Sequence, residues 1–169
     1  MKRYEKPKQN EPEELETNSE QVQGQHVAML TLQMVKTGYL WYSDTAIRSP
    51  EDAYQLLRDF LGQPDRENFV VMTLDTKNQP TSIYTAHIGD LNGSVIHPRE
   101  IFKTSIMSNS ASIILCHNHP SGILQPSSED LEATRQVMES GSVLRIDVLD
   151  HLILGNQDDF LSLKEKGYM

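Results

Sequence analysis

One cysteine in 169 residues, Cys116, removes two classes of architecture at once. A single thiol makes no intramolecular disulfide and no Cys-x-x-Cys metal clip, so any metal this chain holds must be held by nitrogen and oxygen. Long apolar runs are missing too: nowhere do about eighteen apolar residues follow one another, and no basic stretch leads into an apolar one. These absences make a cytoplasmic protein without membrane contact the expectation. Basic residues are scarce, with 15 Lys and Arg against 24 Asp and Glu and a formal net charge of −9. That balance opposes the clustered positive face with which a general DNA binder displaces counterions from phosphates, and leaves only a local basic patch to serve nucleic acid.

What is present is unevenly spread. Residues 1–25, "MKRYEKPKQNEPEELETNSEQVQGQ", hold four basic and six acidic side chains and almost no large aliphatics. Such a stretch buries too little apolar surface to offset chain entropy and reads as a disordered polar tail. Residues 26–44 read as an N-terminal strand extension, because in "VAMLTLQMVK" Thr31 and Gln33 alternate with apolar neighbours. The remainder, 45–169, is sized for one compact domain.

Within that domain, "SPED" places Ser49 at an N-cap, Pro50 at the first helical position and Asp52 at N3, ahead of Ala53, Leu56, Leu57, Phe60 and Leu61; Gly62 and Pro64 then end the helix. Phe69 to Leu74 and Thr81 to Ile88 form a hairpin around the turn chemistry of "DTKNQP". A second helix starts at Pro98, and "ASIILC" is a wholly apolar strand leading into His117. "SSEDLEATRQVMESG" is a capped helix with Leu131, Val137 and Met138 inward and Gly141 as its expected C-cap. Strands at Arg145 to Leu149 and His151 to Leu154, with a last turn at 156–159, complete an α/β fold: a mixed sheet flanked by helices, with ligand sites expected where strands hand over to loops.

The chemistry concentrates in "CHNHPSGILQPSSED", Cys116 to Asp130. In an extended segment alternate side chains point the same way, so His117 and His119 present both imidazoles to one point while Asn118 faces elsewhere. Pro120 and Gly122 turn the chain, Ser127 opens the next helix, and Asp130 at N3 returns a carboxylate toward the histidines. Two imidazoles and one carboxylate suit Zn2+ and leave a fourth tetrahedral position for water, whose pKa zinc lowers to about 7. That water would attack an amide or similar carbonyl, with Ser127 placed to donate to the developing oxyanion. An isolated His-x-His or Ser-x-x-Asp is more often a surface pair or a helix cap. Together at this spacing they arise by chance in only about one chain of this length in several thousand.

"HNHPSG" followed by "PSSED" resembles the motif of the JAMM, or MPN-plus, metalloenzymes in its bacterial RadC-like form. The resemblance extends through "SPED", "LDTKNQ", "IGDLN", "HPREIFK", "ATRQVMESG" and "DVLDHLILG", from Thr45 to Tyr168. It implies a single JAB/MPN domain related to the cytidine deaminase-like fold, one zinc ion held by His117, His119 and Asp130, and hydrolysis of a peptide or isopeptide substrate. It also implies a glutamate on an upstream strand that passes protons, matched here by Glu67 in "RENFVVMTL". Relatives often carry a glutamate at the position of Tyr84; if that residue were the proton carrier, this chain would lack it, and Tyr84 reads instead as a cross-strand packing residue.

Metal-bound imidazoles need a partner on the other ring nitrogen, for which Asp150 and His151 are candidates. Cys116 reads as small buried filler, and His26, His87 and His97 lack partner spacing. The family also carries a DNA-repair label. The helix-hairpin-helix segment of its full-length members is not found in this sequence, and this weakens the expectation of DNA binding. A zinc deaminase would need His-x-Glu and Pro-Cys-x-x-Cys, and a metallo-β-lactamase pattern would need aspartate at Ser121; both are excluded. The alternative to an enzyme is a non-catalytic, zinc-stabilised module that binds protein or DNA structures.

Overall fold

The computed structural model describes residues 27–42, 46–89, 97–156 and 158–169. The expected polar tail and His26 lie outside them. The chain divides into two units, Met1–Gln33 and Met34–Met169. In the first, the described residues form no regular structure and their apolar side chains are exposed, Val27 and Leu30 among them. Residues 34–42 of the second unit likewise take no regular structure, so the strand expected at 27–36 is not formed. An alternating pattern encodes a strand only where a neighbouring edge is there to pair with it.

The rest of the second unit is built as α1 (Pro50–Leu61), β1 (Asn68–Leu74), β2 (Pro80–Ile88), α2 (Pro98–Met107), β3 (Ser112–Asn118), α3 (Ser128–Leu144), β4 (Asp147–Leu154) and β5 (Phe160–Ser162). The five strands make one sheet in the order β2-β1-β3-β4-β5. Only the β3–β4 pair is parallel, and α3 is the crossover between them. Among the described residues no helix is long and apolar enough to cross a membrane.

Period-two alternation divides the core into two layers. Val70, Met72 and Leu74 of β1 join Ile114 and Cys116 of β3 against Ala53, Leu56 and Leu57 of α1. Phe69 and Val71 join Ile113 and Leu115 against Ile101 and Phe102 of α2 and Val137 of α3. β3 is buried on both faces, as its run of apolar residues predicts, and so is β1. By the same alternation His117 emerges on the α3 face. Cys116 is fully buried in the first layer, and burial pushes its thiol pKa up.

Helix starts follow the sequence and some ends do not. Ser49 and Asp52 form a reciprocal capping box on α1, and Gly62 at φ 61° closes it. α3 runs through Gly141 to Leu144, with Arg145 in the left-handed conformation as its C-cap. Gly141 is required for proximity instead: a Cβ there would sit 2.5 Å from the Ile146 carbonyl oxygen and 3.2 Å from the Phe102 ring. The two strands expected at 145–149 and 151–154 are one, β4, with an irregularity in its pairing. Ile113 pairs with Val148 but Ile114 pairs with Asp150, so Leu149 is the extra residue. Three-residue β5 was not foreseen.

Candidate metal centre

Four side chains meet where β1 begins and β3 ends: Glu67, His117, His119 and Asp130 each offer one possible ligand atom, all within 4.8 Å of one another. His117 comes from β3 and His119 follows it by two residues. Their Nε2 atoms lie 3.0 Å apart, as the alternation in an extended segment predicts. Asp130 reaches back from the first turn of α3, with Oδ1 at 3.4 Å from His117 Nε2 and Oδ2 at 3.7 Å from His119 Nε2. Glu67, immediately before β1, places Oε1 at 3.5 Å from His119 Nε2.

The hydrogen-bond partners of each group determine what the cluster can hold. The Thr134 hydroxyl donates to the Asp130 backbone carbonyl at 2.6 Å. Its one proton is thereby used, so it accepts from His151 Nδ1, also at 2.6 Å. Burial drives the His151 pKa well below the ordinary imidazole value, so the ring is neutral and its Nε2 accepts from His117 Nδ1 at 2.8 Å. His117 thereby turns its Nε2 to the cluster. The same logic applies to His119, whose Nδ1 donates to the Ile123 carbonyl.

Two imidazole nitrogens and two carboxylates therefore converge on one point, a set that suits a cation. Ligands held tetrahedrally at about 2.0–2.1 Å from zinc stand about 3.3–3.4 Å apart, near the 3.0, 3.4 and 3.7 Å separations among His117, His119 and Asp130. Without a cation, a proton substitutes in part: the hydrogen bond to Asp130 raises the His119 pKa against the opposing effect of burial. Burial alone would raise Asp130 as well, but hydrogen bonds from His117 and His119 overcome it and hold the carboxyl well below its usual range.

Ser127 forms a capping box with Asp130. Its backbone N–H and its hydroxyl donate to Asp130 Oδ2 at 2.8 and 2.7 Å. The hydroxyl proton expected for an oxyanion is thus given to Asp130, so in this geometry Ser127 orients the carboxylate. Of the two candidate imidazole partners, His151 takes that place. Asp150 does not: its carboxylate accepts from the backbone of His151 and Lys164 and from the Ser162 hydroxyl, closing the C-terminal turn. Tyr84 is outside the cluster. Its phenol donates to the Ile101 carbonyl on α2, and burial pushes its pKa up to about 12. His87 and His97 are also outside it.

Thr134 and Asn118 were not anticipated. Thr134 stands four residues after Asp130 on α3, a spacing that puts both on one helix face, and this was the one available signal. His117 and Asp130 are almost fully buried, whereas the side chains of His119 and Glu67 are 15% and 17% exposed, so the cluster opens to solvent on their side.

A family model described as the RadC-like JAB domain matches residues 47–168. The UPF0758 protein of Desulforamulus reducens is 50% identical over 121 residues, covering 72% of this chain and 53% of its own length. That of Moorella thermoacetica is 50% identical over 127 residues, 75% and 55% of the two chains. The UPF0758 protein YsxA of Bacillus subtilis is 48% identical over 123 residues, 73% and 53%. The chain thus spans about half the length of the curated relatives it matches. Those names state no activity. With the family match spanning every strand and helix of the sheet domain, the chain belongs to the RadC-like JAB domain family.

Proposed function

We propose that this protein is a zinc-dependent metallohydrolase of the JAMM type that cleaves peptide or isopeptide bonds in the cytoplasm. The observation that carries the reading is the convergence of two imidazole nitrogens and two carboxylates on one point, open to solvent on one side. His117, His119 and Asp130 would hold the ion. Zinc there supplies Lewis acidity and a water with its pKa lowered to about 7.

The chain's own groups do the rest. Glu67, on the open side, accepts the proton of the attacking water at a carboxylate oxygen and returns it to the leaving nitrogen. Thr134 and His151 keep the proton of His117 on Nδ1, and Ser127 aims Asp130. For Ser127 to donate to an oxyanion it would have to release Asp130, so that role is not part of the proposal.

Glu67 lies close enough to favour a second reading, in which it is a fourth ligand that closes the site and the domain is a zinc-stabilised binding module for protein or DNA structures. One pair of variants separates the two. His117→Ala loses zinc under either reading, and equal zinc in the parent and this variant removes both. Glu67→Gln keeps parental zinc affinity and loses turnover on peptide and isopeptide substrates if the residue carries protons. A loss of zinc affinity in this variant supports the closed module.

A further inference from the structure

Asn118, the residue between the two histidines, is 4% exposed, and its side chain meets neither imidazole. β1 and β3 pair as far as Phe69 opposite His117. One step further, the register would set Asn68 opposite Asn118, and there a side chain takes over from the backbone. Asn118 Oδ1 accepts from the Asn68 backbone N–H at 2.9 Å, and Asn118 Nδ2 donates to the Arg66 carbonyl at 3.0 Å. Both bonds land on the backbone immediately flanking Glu67, one before it and one after. The Arg66 carbonyl also accepts from Asn68 Nδ2 at 2.9 Å, and the Glu67 carbonyl accepts from the Gly89 N–H at 3.0 Å.

Glu67 precedes the strand, so the β1–β3 ladder does not fix its backbone. A reacting group misplaced by about 1 Å can lose about a hundredfold in rate, so a proton carrier at a strand end needs an anchor of its own. A buried carboxamide with both ends bonded is such an anchor, because removing it leaves a backbone donor without its partner.

We propose that Asn118 is a positioning residue for Glu67: its carboxamide clamps the chain on both sides of Glu67 and sets that carboxylate against the metal cluster. One segment of three residues then carries two metal ligands and, between them, the brace for the proton carrier. The inference rests on the reading of Glu67 as that carrier.

The test uses the full chain loaded with cobalt(II), whose visible spectrum reports the surroundings of the ion and changes with pH. In the parent, Glu67→Gln, Asn118→Ala and the double variant, cobalt stoichiometry and the midpoint of the spectral pH profile are measured. Glu67→Gln shifts the midpoint; Asn118→Ala shifts it in the same direction by at least half as much at unchanged stoichiometry; the double variant shifts no further than Glu67→Gln. Asn118→Asp keeps the acceptor for the Asn68 N–H and recovers part of the shift, and it serves as the test where Asn118→Ala does not fold.

Parental behaviour of Asn118→Ala beside a shifted Glu67→Gln overturns the proposal. So does loss of cobalt in Asn118→Ala, which would mean that Asn118 acts on the histidines. So do shifts that simply add. A Glu67→Gln protein that itself titrates like the parent, or loses cobalt, instead removes Glu67 as proton carrier. Its outcome is read from that single variant alone.

Discussion

A hydroxyl with one proton sets the direction of the hydrogen bonds through two histidines. Because Thr134 gives its proton to the Asp130 backbone, the order of donors through His151 to His117 is fixed, and it is the buried Nε2 of His117 that faces the cluster. Removing either member should let the His117 ring turn or change tautomer. Thr134→Val and His151→Ala are each expected to weaken zinc binding by about 10–100-fold in a competition titration, with the sheet still folded. His119 sets the pH dependence. Its pKa is raised, chiefly by the hydrogen bond to Asp130, so near neutrality a proton competes with the metal for Nε2. Apparent zinc affinity should therefore climb as pH rises through and beyond the ordinary imidazole value of about 6.5, and fall as pH drops below it. Isothermal titration at several pH values checks this, with the protons released on binding declining toward the alkaline end. His117, His119 and Asp130 were legible as a cluster in the sequence, because a two-residue repeat and a helix cap are local patterns. His151 was legible only as one of two candidates, beside Asp150, whereas Asn118 bonds to groups about 50 residues away, which only the register of the folded sheet reveals.

The extra residue in β4 shows how an element can decide chemistry. Pairing of parallel strands puts partners on the same face, and Leu115, which faces α3, is paired with His151. Without the irregularity at Leu149 the register would pair Leu115 with Asp150, and the imidazole that holds His117 would turn to the α1 layer. The sequence signalled a break in this stretch, which the alternation renders as two strands; the structure keeps one strand and puts an extra residue in its pairing. In α3 the misreading had a different cause. Glycine at a helix end and glycine at a close approach look alike in sequence, and Gly141 is the second kind, tight against the Ile146 carbonyl and the Phe102 ring. Gly141→Ala should destabilise the domain by about 1–3 kcal/mol, seen as a lowered midpoint in thermal or urea unfolding, in spite of alanine's better helix propensity. The capping boxes at Ser49 and Ser127 and the Gly62 ending needed no tertiary information, and those boundaries were correctly foreseen.

For the whole molecule, the mixed sheet between helical layers was legible because apolar runs, caps and turn residues agreed along most of the chain. What the sequence did not show was whether its first apolar stretch finds a partner. Residues 27–42 are described without regular structure, and they include Met29 at 85% exposure and Met34 at 50%. Met72, at the centre of β1, is 0% exposed. This contrast amounts to a built-in chemical ruler. Thioether sulfur in contact with water oxidises to the sulfoxide, while sulfur sealed among aliphatics waits for the fold to open. Dilute peroxide followed by peptide mass spectrometry should mark Met29 and Met34 well before Met72, and the time separating the two events clocks the opening of the core.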